Sequence, residues 1–518
     1  MGQAASSTSV YQQQQQASGE PCTASRRMAL PQEIDSVFSA AIRYYFRGES
    51  LHALRGDDRL QRSEEGADNY GVGGYHRVTR GQLYNQRYMI VSKLGWGHFS
   101  TVWLAADLHQ FSSATGAAHV ALKIQKGEAS YMEAALDEVK LLKRVSEATA
   151  MLGAEVPVTQ MRDSFMVVGD NGKHMCTVFE VLGDNLLELL KRCPGRRLPL
   201  ASVKVIARDI LKGLDFLHRR CRIIHTDLKP ENVLVASSDP KMAQRLASGK
   251  VHDRKEGSTA PVVKIADLGN ACWTDHHFTD YITTRQYRSP EIILKAQYDC
   301  STDIWSLGCM CFELITGEYL FDPKADRSKG YTRNDDHLAL MLELMGPAPP
   351  SLIRGAASDK YFDSSGRLCR VPALDYWPLH ELLRKKYRFS QEASVEIAAF
   401  LRPMLHLDPA RRVTAEAHLR HPWLRNDSVV LNMSRVASAS SSSALKAAAA
   451  ATMSPRSENR PNGKAVVDRV RRSQVPKLMD AVKSSTTTSA AAAASTRSSW
   501  RGSTTILSSS RRARQQEA

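Results

Sequence analysis

Three polar side chains, Asp227, Lys229 and Asn232, stand two and three residues apart. They follow an apolar pair, Ile223-Ile224, and precede a second apolar run, Val233-Leu234-Val235. A carboxylate suits the proton of an incoming hydroxyl, an ammonium suits a phosphate, and an amide oxygen suits a metal, so the set reads as a phosphoryl-transfer loop. The spacing alone also fits an ordinary surface turn. What separates the two readings is whether the other parts of such a site occur in order along the chain. Downstream, the strand-like run Val262-Val263-Lys264-Ile265-Ala266 ends at Asp267-Leu268-Gly269. A strand-end Asp followed by Gly can be a mere turn, but here Asp267 is read as the second metal ligand.

Upstream, His119-Val120-Ala121-Leu122-Lys123-Ile124 reads as a strand with one lysine in an apolar setting. Such a lysine either snorkels to water from an edge or is buried and requires a carboxylate. The helical pattern over residues 131–145 offers Glu133, Asp137 and Glu138, the last with apolar neighbours Leu136, Val139, Leu141 and Leu142. Further upstream, the pattern predicts a strand over 88–94, a turn over Gly95-Trp96-Gly97-His98-Phe99-Ser100, and a strand over 101–105. A dinucleotide fingerprint needs its glycines between a strand and a helix, and no helix follows. A glycine hairpin whose amides approach nucleotide phosphates fits instead, although glycine marks any tight hairpin.

The elements that position these groups change character at Gly183. Strand patterns dominate before it, ending with Cys176-Thr177-Val178-Phe179-Glu180-Val181-Leu182, and helical patterns dominate after it, over 185–192 and 200–218. A nucleotide would sit between the two parts. Residues 236–260 are polar with Pro, Gly and Ser and read as an insertion, not a packed element. Ser289-Pro290-Glu291 closes the segment that opens at Asp267, and an apolar helix is predicted over 304–315, followed by helices over 336–344, 394–405 and 415–421. Before residue 68 the chain is Ser-rich with a Gln run at Gln12–Gln16, and one helix is predicted over 31–46 from Ile34, Phe38, Ile42 and Tyr45. Ser and Ala runs fill the region beyond Trp423.

At 518 residues the chain exceeds one ordinary domain. No apolar run has the ~18 residues of a membrane span, and the first residues do not form a signal peptide. Nine scattered cysteines without a CxxC pair read as reduced thiols, not a disulfide frame or zinc site. The net charge of +16 is uneven: from Arg425 onward there are 16 basic and 5 acidic residues. No interleaved aromatics accompany that charge, so a solvated tail is expected and direct nucleic-acid binding is not. Met1-Gly2-Gln3-Ala4-Ala5-Ser6 fits the myristoylation pattern, which at Gly2 would give only weak membrane contact.

With these parts in order, residues 68–424 resemble a eukaryotic protein kinase. The resemblance implies an α+β, bilobal fold with a small β-rich N-lobe (68–182) and a larger α-helical C-lobe (183–424) carrying the short insertion 236–260. Residues 1–67 are expected to be mostly disordered, apart from the helix over 31–46, and the basic Ser/Ala-rich tail 425–518 disordered. It further implies ATP and Mg2+ as cofactors. Leu94, Gly95, Gly97, Ser100 and Val102 would line the ATP site, with Ser100 where the pattern has its third glycine. Lys123 would hold phosphates and pair with Glu138, which the resemblance also requires. The backbone of Glu180 and Leu182 would receive adenine, with Phe179 behind it. Asp227 would be the catalytic base, Lys229 a phosphate contact, and Asn232 and Asp267 the metal ligands. Glu291 would pair with Arg412, and Asp303 would brace the loop.

Within kinases the wording is similar to the SR-protein kinases of the CMGC group. The residues that carry this are 94–103, Phe179-Glu180-Val181-Leu182-Gly183, His225-Thr226-Asp227, Asp267-Leu268-Gly269-Asn270-Ala271-Cys272, Thr284-Arg285-Gln286-Tyr287-Arg288-Ser289-Pro290-Glu291, and Gly73-Gly74-Tyr75-His76. LAMMER-type kinases, the alternative, carry Asp-Phe-Gly and a different motif around His337. A kinase-shaped scaffold without activity usually lacks one of Lys123, Asp227 or Asp267. The branch implies a monomeric kinase of Arg/Ser-rich RNA-processing proteins in cytoplasm and nucleus, with Glu318, Asp336 and Glu343 matching acidic positions of its docking groove. Asp336 and Glu343 lie two helical turns apart and share a face. The insertion Lys324–Lys329 places bases where relatives keep acids, and Arg-Ser pairs occur at Arg456, Arg472 and Arg497. Thr226 stands where switchable kinases place an arginine that grips an activation-loop phosphate, so activity without that phosphate is expected.

Overall fold

The structure is a computed structural model describing residues 32–46, 65–251, 260–354, 357–371 and 373–425. Gly2, the Gln, Ser and Ala runs and the Arg-Ser pairs lie outside the described residues. The chain divides into a small unit, residues 1–59, 78–92 and 105–118, and a large one, residues 60–77, 93–104 and 119–518.

In the small unit, helix α1 (Gln32–Phe46) buries Ala41 and Phe46 against Met89, Ala106, Leu108 and Ala117. The pair β1 (Leu83–Tyr84) and β2 (Tyr88–Gly97) is antiparallel with Tyr84 opposite Tyr88. Strands β2, β3 (Ser100–Ser112) and β4 (Gly116–Gln125) each have residues assigned to both units. The sheet order is β1-β2-β3-β4-β6-β5 once β5 (Met161–Gly169) and β6 (Gly172–Glu180) are added. The expectation of a six-residue turn over 95–100 is corrected: pairing carries β2 through both glycines to Gly97, and β3 begins at Ser100. Glycine is depleted in strands, which is why the glycines read as a turn.

Between β4 and β5 runs helix α2 (Ala129–Leu152), which buries Ala135, Glu138, Val139, Leu141, Leu142 and Val145 and stops at Gly153 in the left-handed region (φ 63°). The sheet ends at Glu180, and at Gly183 in the link that follows a Cβ would stand 2.4 Å from the carbonyl oxygen of Ser237. Only glycine lets the two backbones approach that closely.

Beyond it the large unit is helical. Helix α3 (Leu186–Arg192) is capped by Asn185, whose side chain accepts from the Glu188 amide at 2.9 Å. Helix α4 (Leu200–Asp215) continues as a π-helical turn (Phe216–Cys221) directly before the polar loop. The short strands β7 (Ile223–Ile224), β8 (Val233–Val235), β9 (Val263–Ile265) and β10 (Cys272–Trp273) form two antiparallel pairs, β7 with β10 and β8 with β9. Helix α5 (Pro240–Ser248) corrects the reading of 236–260 as unpacked. Its Leu246 is fully buried, and the Leu246 carbonyl accepts from Ser202 Oγ at 2.6 Å. Next come α6 (Pro290–Ile293), α7 (Ser301–Thr316), α8 (Arg333–Met345), α9 (Leu379–Lys385), α10 (Gln391–Leu401) and α11 (Ala415–His418). Every residue of α7 from Thr302 to Thr316 is buried. Its Trp305 and Phe312 each stabilise the fold by about 1.5–3 kcal/mol through burial.

Candidate active site

The site lies wholly within the large unit, and its polar loop is built around one carboxylate. Asp303, in the first turn of α7 and fully buried, accepts from the His225 amide (2.8 Å) and the Thr226 amide (2.9 Å). It also accepts from His218 Nε2 of the π turn at 2.8 Å. Burial raises the Asp303 pKa, but donation by His218 and then the charge of both histidines outweigh it, and the net direction is down. Asp303 thus holds two amides of the loop and the His218 side chain of the π turn on one ionised group, as the resemblance implies. Thr226 sits at φ 65°, an uncommon region for a β-branched residue. Its hydroxyl donates to the Asn270 carbonyl at 2.7 Å, which ties the loop to the segment after Asp267.

The Asp227 carboxylate accepts from four donors, one of them Asn232 Nδ2, 3.4 Å from Oδ2. Lys229 Nζ lies 2.7 Å from Oδ2, while Oδ1 accepts from the Thr284 hydroxyl (2.7 Å) and amide (3.1 Å). Lys229 Nζ also reaches Thr284 Oγ1 at 3.0 Å. Asn232 donates its amide N–H to the Asp227 carbonyl at 2.8 Å, which leaves its amide oxygen as a possible ligand. Thr284 was not singled out from the sequence. Its signal was its place in the run before Ser289-Pro290-Glu291.

Lys123 on β4 meets Glu138 of α2 at 2.8 Å and Asp267 at 3.1 Å. Of the other two candidates, Asp137 pairs with Lys140 and Glu133 is exposed, so the geometry selects Glu138. Gln125 adds a donor to Glu138 at 3.2 Å. Burial opposes the Lys123 charge, yet Asp267 and then Glu138 outweigh it, and its pKa is raised. Lys123 in turn lowers that of Asp267, despite burial. Asp267 and Asn232 present oxygen donors, which suits a hard divalent cation. Leu268 is buried in the same core as Leu141 and Leu142.

Above these groups, Lys123, Glu138, Asp227, Asp267, Gly97 and Ser100 line a cavity of about 260 Å³. A Cβ added at Gly95 or Gly97 would meet no atom within 4 Å, and neither glycine has a positive φ. The protein therefore does not need glycine there for its own packing, and the open space is left for a ligand. Ser100 is buried, Val102 half-buried and Leu94 half-exposed. At the other end, the Glu180 carboxylate turns to Lys264 (2.8 and 2.9 Å) and the Gln160 amide (3.2 Å), so its side chain anchors the stretch that leads to Leu182.

Glu291 and Arg412 form a two-bonded ion pair (2.8 and 3.0 Å) with both side chains at most 1% exposed. The docking acids stand differently. Asp336 and Glu343 do share a face of α8, but that face is inward: both are buried, Asp336 accepts from the Lys324 amide (2.9 Å), and Glu343 accepts from the Asp375 amide (3.4 Å). The spacing fixed a common side without saying whether water or protein covers it. Glu318 is half-exposed and accepts from Lys386 (2.7 Å) and Tyr387 (2.8 Å). Three arginines went unassigned in the sequence. Burial and the nearby charges of Arg288 and Arg333 lower the Arg285 pKa to about 10, and Arg285 donates to Asn334 at 2.7 Å.

Comparison with known proteins gives a consistent answer. A protein kinase domain family matches residues 88–424. The chain is 44% identical to the serine/threonine-protein kinase SRPK of Physarum polycephalum, over 71% of this chain and 92% of that protein. It is 35% identical to protein kinase dsk1 of Schizosaccharomyces pombe, over 71% and 86%. It is 32% identical to SRSF protein kinase 3 of Mus musculus, over 72% and 92%.

Proposed function

The chain belongs to the protein kinases and, among them, to the SR-protein kinases, and on that premise we propose that it transfers the γ-phosphate of ATP to serines of Arg/Ser-rich RNA-processing proteins. The observation that carries the chemistry is the joint placement of Lys123, Asp227 and Asp267 around one cavity. Asp227 takes the hydroxyl proton; Thr284 fixes one of its oxygens and Lys229 the other. Lys123, steadied by Glu138, orients phosphates. Asn232 and Asp267 would hold the magnesium, whose chemistry when bound would be to neutralise phosphate charge. Gly95 and Gly97 leave backbone accessible to the phosphates, and the adenine edge lies against backbone near Glu180 and Leu182.

The substrate reading rests on the relatives, two of which are named as SRPK and SRSF protein kinases. Of the matched docking acids, Glu318 is the accessible one, so substrate arginines engage it first. Engagement of Asp336 and Glu343 requires the backbone at Lys324 and Asp375 to yield its hydrogen bonds. The enzyme acts as a monomer, without direct nucleic-acid contact, in the cytoplasm and nucleus where such substrates occur. ATP-dependent labelling of an Arg-Ser repeat peptide is expected to exceed that of acidic and Pro-directed peptides by at least about a hundredfold in kcat/KM, the scale of paired charge contacts. Equal rates on the three peptides would defeat the specificity.

Thr226 offers no guanidinium for an activation-loop phosphate; its own hydroxyl already reaches Asn270. Phosphatase-treated enzyme is therefore expected to keep its activity. Loss of activity with the fold intact would reverse that reading of Thr226.

A further inference from the structure

The segment over residues 65–77, which precedes the matched kinase family region, is bound into the glycine hairpin. Tyr75 is 2% exposed, and its hydroxyl donates to the Gly97 carbonyl at 2.7 Å. Burial, Glu65 and Tyr131 each raise the Tyr75 pKa, so the phenol stays a donor. At the foot of the hairpin, Lys93 pairs with buried Glu65. On the opposite flank the Lys126 amide donates to the Phe99 carbonyl at 2.9 Å. Phe99 packs on Tyr131 of α2 with ring centres 5.3 Å apart, and the Lys126 ammonium lies 4.4 Å from the Tyr75 ring centre and 5.8 Å from that of Tyr131.

The segment is itself fixed. The Gly127 amide donates to Gly74 O (3.0 Å), the Glu128 amide to Gly73 O (2.8 Å), and Asn171 Nδ2 to Tyr75 O (2.7 Å). A Cβ on Gly74 would stand 2.1 Å from the Asn69 carbonyl oxygen, so the turn that aims Tyr75 accepts only glycine. The carbonyls of Gly97 and Phe99, on either side of the hairpin tip, are thus held by separate donors.

We propose that Tyr75 is a positioning residue for the phosphate-binding hairpin, and that residues 65–77 are a strap that preforms the hairpin for ATP. The proposal rests on the kinase reading. It also says that the strap acts on nucleotide binding, through Gly97, and not on the transfer step. A hairpin held in its binding shape avoids an ordering cost when ATP arrives, and its contacts serve ground and transition states alike, so the strap acts on KM.

Tyr75→Phe in the full chain removes the hydroxyl, with its strong bond to the Gly97 carbonyl and a long one to that of His98, and keeps the ring. With an Arg-Ser peptide it is expected to raise KM for ATP about fivefold, which is about 1 kcal/mol at 1.4 kcal/mol per tenfold. The kcat is expected to stay within about twofold, measured well below the unfolding midpoint. Tyr75→Leu, which also removes the ring, is expected to raise KM at least as far. If Tyr75→Phe leaves KM unchanged, whether or not the midpoint falls, the strap is merely structural and the proposal is overturned. A fall in kcat with KM unchanged overturns it too. Absence of ATP-dependent transfer by the parent enzyme would count against the kinase reading instead.

Discussion

Asp227→Asn is expected to lower kcat on an Arg-Ser peptide by roughly a thousandfold, within the range for loss of a general base. The change keeps the shape of the side chain and removes its charge. An asparagine oxygen can still accept from Thr284, but the new NH₂ faces the Lys229 ammonium, where two donors meet without an acceptor between them. The loop itself is held from behind by Asp303 on the His225 and Thr226 amides, which the substitution leaves in place. The unfolding midpoint is therefore expected to stay near that of the parent. Steady-state kinetics beside a thermal scan separate the two effects. Retention of more than about a tenth of the parent kcat would remove Asp227 from the role of base.

The largest effect on stability is expected from Arg412→Met. The Arg412 side chain is fully buried, makes two bonds to Glu291, and donates to the carbonyls of Ser301 (2.8 Å) and His406 (3.1 Å). Its removal leaves the Glu291 carboxylate buried without its cation, at a cost of about 3–5 kcal/mol in a denaturant titration. A buried pair replaced on both sides by apolar groups is often near neutral. Adding Glu291→Met to Arg412→Met should therefore restore much of the loss. No recovery in the double variant would assign the cost to the two carbonyls left without donors.

The parts of the site legible in the sequence are those whose chemistry is local. Asp227, Lys229 and Asn232 fit a surface turn as well as a site by type and spacing alone, and become legible once Lys123 and Asp267 fall in order around them. The Lys123–Glu138 contact and the Glu291–Arg412 pair fall where the family resemblance implied them. What escaped depends on distant packing. Leu246 lies in a polar stretch and becomes a core residue only because the Ser202 hydroxyl donates to its carbonyl and α5 has somewhere to dock. The glycines of β2 look like a turn until strand pairing overrides propensity. For Asp336 and Glu343 the helical period gives the side but not its direction, which is set by the chain that crosses at Lys324 and Asp375. The task of Tyr75 is not legible from its motif, because its acceptor, a main-chain carbonyl, has no sequence signature.

Asp303 has a consequence for how the enzyme can fail. The loop amides that define the site end on a carboxylate at the start of α7, a helix buried from Thr302 to Thr316. Opening those amides leaves a buried carboxylate short of two donors, a costly state for a charged group, so loss of the loop is tied to the packing around α7. Inactivation by loss of this loop is therefore expected to fall at the same denaturant midpoint as global unfolding.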